Sequence, residues 1–231
     1  LHPEWTDEAL TPIIDNCQTK RQHLSYYTLD EQSALIACGR QMLEAAGSGP
    51  IQAFRSGSFA VNRDTFKALQ HNAILLDTSL NLCNAVSAPD MRADHSFLVP
   101  FLTQGVSTFP VTVFKDGFSK DRPAQVGACS FGEMRDALLS AYRGNVSNFV
   151  IVSHNFEMLK PGSAAPDWIV VKRFERLCAF LGQNQGIFVV RGFQDDLKLK
   201  SPGRLAPGLQ PRASWLSTAQ RYAEQIWRRL R

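Results

Sequence analysis

Long apolar runs are missing from this sequence. Runs such as Phe149 to Val152 and Ile187 to Val190 fall far short of the roughly 18 residues a membrane-spanning helix needs, so no transmembrane segment is expected. Cysteine is scarce. The five present (Cys17, Cys38, Cys83, Cys129, Cys178) are far apart and form no CxxC pair, which argues against a disulfide framework. They read as reduced, mostly buried thiols, and on that ground a cytoplasmic location is slightly favoured. Charge of one sign is also missing: 25 Lys+Arg oppose 21 Asp+Glu, a formal +4. Much of that excess sits in Arg221, Arg228, Arg229 and Arg231. RNA-binding and zinc-finger spacings are absent, so no nucleic-acid partner is expected. What the chain does have is apolar side chains for a core: 44% of 231 residues are hydrophobic, 15 of them Phe, which excludes intrinsic disorder. No internal repeat and no signal peptide are visible. The opening Leu1-His2-Pro3 has no initiator Met, so the natural start is expected to lie upstream.

Helices announce themselves through caps and spacing. Thr28 and Glu31 have the spacing of a capping box, with Leu35, Cys38, Met42 and Ala45 following at helical intervals up to Gly47. Asn62 is placed to cap a short helix carrying Phe66 and Leu69. Ser130 and Glu133 repeat the capping box ahead of Met134, Leu138 and Ala141. Asp167 opens a helix through Val171, Phe174, Cys178 and Leu181. Five apolar runs read as strands: Ile51 to Phe54, Ile74 to Leu76, Phe109 to Phe114, Phe149 to Ser153 and Ile187 to Val190. The fourth is continuously apolar, which suggests burial on both faces. Residues 84–104 have no clear period. Residues 194–213 read as a connector, and 214–231 as a basic amphipathic helix packed on the domain formed by 1–193.

Strands alternating with helices argue for a parallel sheet with helices outside. In such folds reactive groups gather at the carboxyl ends of strands. Arg55, Asp77 and His154 each follow a predicted strand, and His2 stands where an upstream strand could end. Each also has an ordinary reading: a surface ion-pair partner for Arg55, a turn or helix cap for Asp77, a satisfied histidine for His154, a frayed terminus for His2.

Ala53 to Asn81 (AFRSGSFAVNRDTFKALQHNAILLDTSLN) contains an Arg-x-Gly segment and an Asp at a strand end. Phe149 to Leu159 (FVIVSHNFEML) is an apolar strand ending in His, and LHPEW matches the tail of a His-x-His-Pro segment. In this order the segments resemble motifs of the polysaccharide deacetylase (NodB-type) family. The resemblance implies an α/β fold, a distorted (β/α) barrel of the polysaccharide deacetylase type, here incomplete at its N-terminus. It implies hydrolysis of N-acetyl groups on a polysaccharide or oligosaccharide, with a divalent metal, zinc foremost, as cofactor and an N-acetylated carbohydrate as substrate. Residue by residue, His2 takes the place of a metal ligand and His154 that of the general acid. Arg55 takes the place of the arginine that orients a catalytic carboxylate through a charge-assisted fork. Asp77 takes that of the acid that orients or tunes the histidine. Phe59 and Phe156 are candidates for lining a sugar-binding groove.

The sequence departs from that family in two ways. No adjacent Asp pair precedes His2, and the first His of its motif is absent; Asp195-Asp196 falls after the last predicted strand. The expectation drawn from this is a fragment lacking roughly two strands. The alternatives are a catalytically inactive carbohydrate-binding domain of the same fold and an interaction domain that uses the C-terminal helix.

Overall fold

The structure is a computed structural model that describes residues 1–9, 11–15, 20–193 and 210–229, apart from the side chains of Trp5, Asp7 and Arg229. It divides into two compact units, Leu1–Pro110 with Gly192–Gly203, and Val111–Arg191 with Arg204–Arg231. Residues 194–209 of the expected connector, Asp195-Asp196, Cys17 and the last two residues of the expected C-terminal helix lie outside the described residues.

The first unit begins with a 3-10 turn, Pro3–Glu8, and then α1, Leu29–Ala45. The Thr28 hydroxyl accepts from the Glu31 N–H while the Glu31 carboxylate accepts from the Thr28 N–H, so two otherwise orphaned donors are met at the start of α1. Gly47 (φ +92°) ends the helix in the left-handed region that glycine tolerates, and Ser48 N–H returns to the Leu43 carbonyl. The face that α1 buries carries Gln32, Leu35 and Ile36, whereas Met42 is 67% exposed, so the apolar stripe is rotated from the one the spacing suggested.

Next come β1 (Ala53–Phe54), α2 (Arg63–His71) and β2 (Leu76–Asp77), a parallel crossover unit that pairs Ala53 with Leu76 and Phe54 with Asp77. The Asn62 side chain and Thr65 cap α2 reciprocally. Phe66, Ala68 and Leu69 on α2 are fully buried in a core with Leu24, Leu35, Ile74, Leu80 and Met91. Burying each large apolar side chain contributes about 2 kcal/mol. β3 (Phe101–Thr103) and β4 (Val106–Thr108) form a hairpin turned at Gln104 and Gly105, both of positive φ. The sheet order is β1-β2-β4-β3, with β4 parallel to β2 and β3 antiparallel to β4.

The second unit holds a two-stranded antiparallel hairpin of β5 (Val113–Lys115) and β6 (Asp121–Pro123), followed by α3 (Phe131–Arg143), α4 (Trp168–Gln183) and α5 (Trp215–Arg229). Ser130 and Glu133 cap α3, and Asp167 caps α4 through Ile169 and Val170 N–H, as their sequence positions predict. α3 packs on both α4 and α5. Its core joins Phe114, Val126, Met134, Leu138, Val170 and Leu177.

The expected (β/α) barrel is corrected here. The described strands form a four-stranded mixed sheet and a separate two-stranded hairpin, and no closed barrel is present among the described residues. The strands are two or three residues long, and the β3–β4 hairpin introduces an antiparallel member where a barrel requires another parallel one. Pro110 interrupts the expected strand 109–114, leaving β4 before it and β5 after it. Phe149 to Ser153 forms only an isolated parallel bridge, Val152 to Gln125, with the Val150 carbonyl accepting from Thr112 N–H. Ile187 to Val190 is not a strand: Ile187 closes a turn onto Asn184, and Val189 and Val190 are 76% and 71% exposed. Of the four described cysteines only Cys129 is buried, which corrects the expectation of mostly buried thiols. No helix among the described residues is long and apolar enough to cross a membrane.

Candidate functional site

Arg55 and Asp77 stand at the carboxyl ends of neighbouring parallel strands, as the rule for such sheets anticipates. The structure makes Thr78 the link between them. Arg55 donates from Nε to the Thr78 carbonyl oxygen at 3.3 Å and from a terminal nitrogen to Thr78 Oγ1 at 3.0 Å. Its fork therefore closes on Thr78 and not on a carboxylate. Asp77 is fully buried, and its two oxygens accept from Ser79 N–H at 3.0 Å and Ser79 Oγ at 2.5 Å. Burial pushes the Asp77 carboxyl up from 3.8 to about 6, against the opposing pull of the Ser79 hydrogen bonds and the Arg55 charge. Burial likewise lowers Arg55, and Asp77 resists that shift.

The turn after β1 brings His2 close. Leu1 donates its amino group to the Arg55 carbonyl at 3.1 Å and accepts from Gly57 N–H at 2.7 Å, which lays the His2 ring against Gly57. A Cβ at Gly57 would lie 2.6 Å from the ring, so a glycine is what permits this approach. The turn continues through Ser58 (φ 54°) and Phe59 (φ 59°), two successive left-handed residues without glycine, a strained conformation. Phe59 is half-buried.

His2 Nδ1 lies 3.3 Å from Glu4 Oε1, and Glu4 Oε2 is buried with no hydrogen-bond partner among the described residues. Two donors do not meet the three protein ligands of a catalytic zinc. Among the described residues no group of three His, Cys, Asp or Glu could hold a metal ion. The residues described therefore do not fit the metal that the family resemblance implies.

The remaining candidates belong to the second unit. His154 follows the extended Val150–Val152 segment, and its ring stacks on Phe156 with centroids 4.9 Å apart and an angle of 25° between planes. Phe156 is 64% exposed, so one aromatic face is open to solvent beside the imidazole. His154 Nδ1 lies 2.9 Å from Glu157 Oε1, while no described residue hydrogen-bonds its Nε2. Thus Arg55 and Asp77 are neighbours in one unit, and His154 and Phe156 are neighbours in the other.

Sequence reasoning missed Thr78, Ser79, Glu4 and Glu157. Glu157 had a signal: in His154-Asn155-Phe156-Glu157 the carboxylate stands three residues after the histidine, the spacing at which one helical turn brings side chains together. No family model matches the chain, and no curated protein or solved structure matches it either.

Proposed function

We propose that this chain acts on N-acetylated carbohydrate and takes part in hydrolysis of the N-acetyl group, with His154 as the proton donor. The observation that carries the reading is the arrangement around His154: one ring nitrogen on a carboxylate, the other open, and an exposed aromatic face stacked alongside. Amide hydrolysis adds water to the acetyl carbon, breaks the C–N bond and yields acetate and a free amine. The amine is a poor leaving group until its nitrogen is protonated, so an acid at that nitrogen is the group the reaction needs. Nε2 of His154 is the open position for that proton. Phe156 offers the kind of flat apolar surface on which a pyranose ring stacks. The order Arg55, Asp77, His154, which resembles the deacetylase motifs, supports the same reading.

The test is acetate release from a panel of N-acetylated oligosaccharides. Release from at least one member, lost in His154→Ala, supports the reading. Saturable binding of the same oligosaccharides with no acetate released overturns hydrolysis in favour of a carbohydrate-binding role.

A further inference from the structure

We propose that Glu157, and not Asp77, is the positioning residue for His154: it fixes the neutral imidazole as the Nδ1–H tautomer and leaves Nε2 facing the site. This rests on the reading of His154 as the proton donor. Three donors converge on the Glu157 carboxylate. Oε1 faces His154 Nδ1 at 2.9 Å and also accepts from the Gln125 side-chain amide, while Oε2 accepts from Gly127 N–H at 3.0 Å. The carboxylate is only 10% exposed, against 36% for the His154 side chain, so the anchor is the buried member and the histidine the open one. A carboxylate has only acceptors to offer, so a close Nδ1 must carry the proton. That also stabilises the imidazolium formed whenever Nε2 takes up a proton to donate.

The anchor is itself held. Arg173, 4% exposed, donates to the Gly127 carbonyl at 3.1 Å and to Glu224 through Nε at 2.7 Å. This pins the loop whose N–H grips Glu157. Gly127 has no room for a side chain: a Cβ there would lie 2.7 Å from Glu157 Oε2. By contrast Asp77 has both oxygens on Ser79.

The experiment is 15N-detected NMR of the imidazole nitrogens of neutral His154, in wild type and in two variants. In Glu157→Gln the fixed Gly127 N–H requires the amide oxygen, so the NH2 takes the Oε1 position, where the Gln125 amide reverses to accept one hydrogen and His154 Nδ1 must accept the other. The neutral tautomer then switches to Nε2–H. In Gly127→Ala the added methyl displaces the carboxylate and the Nδ1–H preference is lost, without any change to the charge of Glu157. The expected wild-type spectrum is Nδ1–H. An Nε2–H wild type, or an unchanged tautomer in a folded Glu157→Gln protein, overturns the proposal. The readout does not depend on turnover. A protein that releases no acetate yet shows the Nδ1–H tautomer refutes the functional reading and leaves Glu157 in its role. On the substrate that is turned over, Glu157→Gln lowers kcat at least about 10-fold with KM unchanged. A kcat within twofold of wild type overturns the role in catalysis.

Discussion

Arg55 closes its guanidinium fork on Thr78, the residue immediately after Asp77, and so ties the end of β1 to the end of β2. Both acceptors are neutral oxygens, and the bonds are partly buried, so the pair contributes about 1–2 kcal/mol. A double-mutant cycle isolates it. Arg55→Lys keeps the charge but loses the planar fork, and Thr78→Val removes the hydroxyl acceptor. Denaturant unfolding should give a coupling energy of roughly 1 kcal/mol. Additive effects would mean that the fork holds nothing.

Asp77 makes stability depend on pH in an uncommon direction for a carboxylate. Its folded-state value of about 6 lies above the ordinary 3.8, so between these values the folded protein holds a proton that the unfolded chain releases. The stabilisation is fully present below the lower value and is lost as pH rises through the upper one, by roughly 3 kcal/mol in total. Asp77→Asn removes this dependence. Melting temperatures of the two proteins between pH 4 and 7 should therefore diverge, the wild type falling relative to the variant. Parallel curves would contradict the assignment.

Arg221 holds α5 to α3 and to the β5–β6 turn. Its Nε donates to both Glu133 oxygens at 2.9 and 3.0 Å, and a terminal nitrogen reaches Asp116 at 3.1 Å. All three side chains are at most 4% exposed. Removing the cation strands two buried carboxylates, so Arg221→Met should cost about 3–5 kcal/mol. Adding Glu133→Gln and Asp116→Asn to it should recover part of the loss, because the uncompensated charges are then gone. Chemical denaturation of the single and triple variants checks both statements, and a single-variant loss below about 1 kcal/mol would contradict them.

Two glycines should respond to alanine in opposite ways. A Cβ at Gly117 would stand 2.3 Å from the Trp215 Cα and 2.6 Å from its nitrogen, backbone atoms that cannot step aside. Gly117→Ala should destabilise by about 1–3 kcal/mol or more. Gly182, near the end of α4, has nothing within 4 Å of a built Cβ, and Gly182→Ala should stabilise by about 0.5 kcal/mol through helix propensity. Opposite shifts in melting temperature are the expected result, and shifts of the same sign would contradict it.

The sequence made the helices legible because their signals are local. Thr28, Asn62, Ser130 and Asp167 all cap the helices they were assigned to cap. The strands were less legible. An apolar run shows that a segment is buried, not what it pairs with, so the continuously apolar Phe149 to Ser153 is an extended segment with one bridge and not a strand buried in a sheet. Ile187 to Val190, equally apolar, is largely exposed. The barrel failed for the same reason: strand order and direction are non-local, and no residue in Phe101–Thr103 announces that it runs antiparallel to β4. The positions of Arg55 and Asp77 at strand ends could be anticipated, but their partners could not. Short polar side chains such as Thr78 and Ser79 satisfy them from within the turn, where the sequence suggested long-range charge pairing.

The most direct test of His154 as proton donor compares leaving groups. Wild type and His154→Ala are assayed on an N-acetylated oligosaccharide and on an aryl acetate, whose phenolate departs without protonation. The account predicts that His154→Ala loses about 100-fold or more on the amide and little on the ester. Equal losses on both substrates, or no loss on the amide, would contradict it.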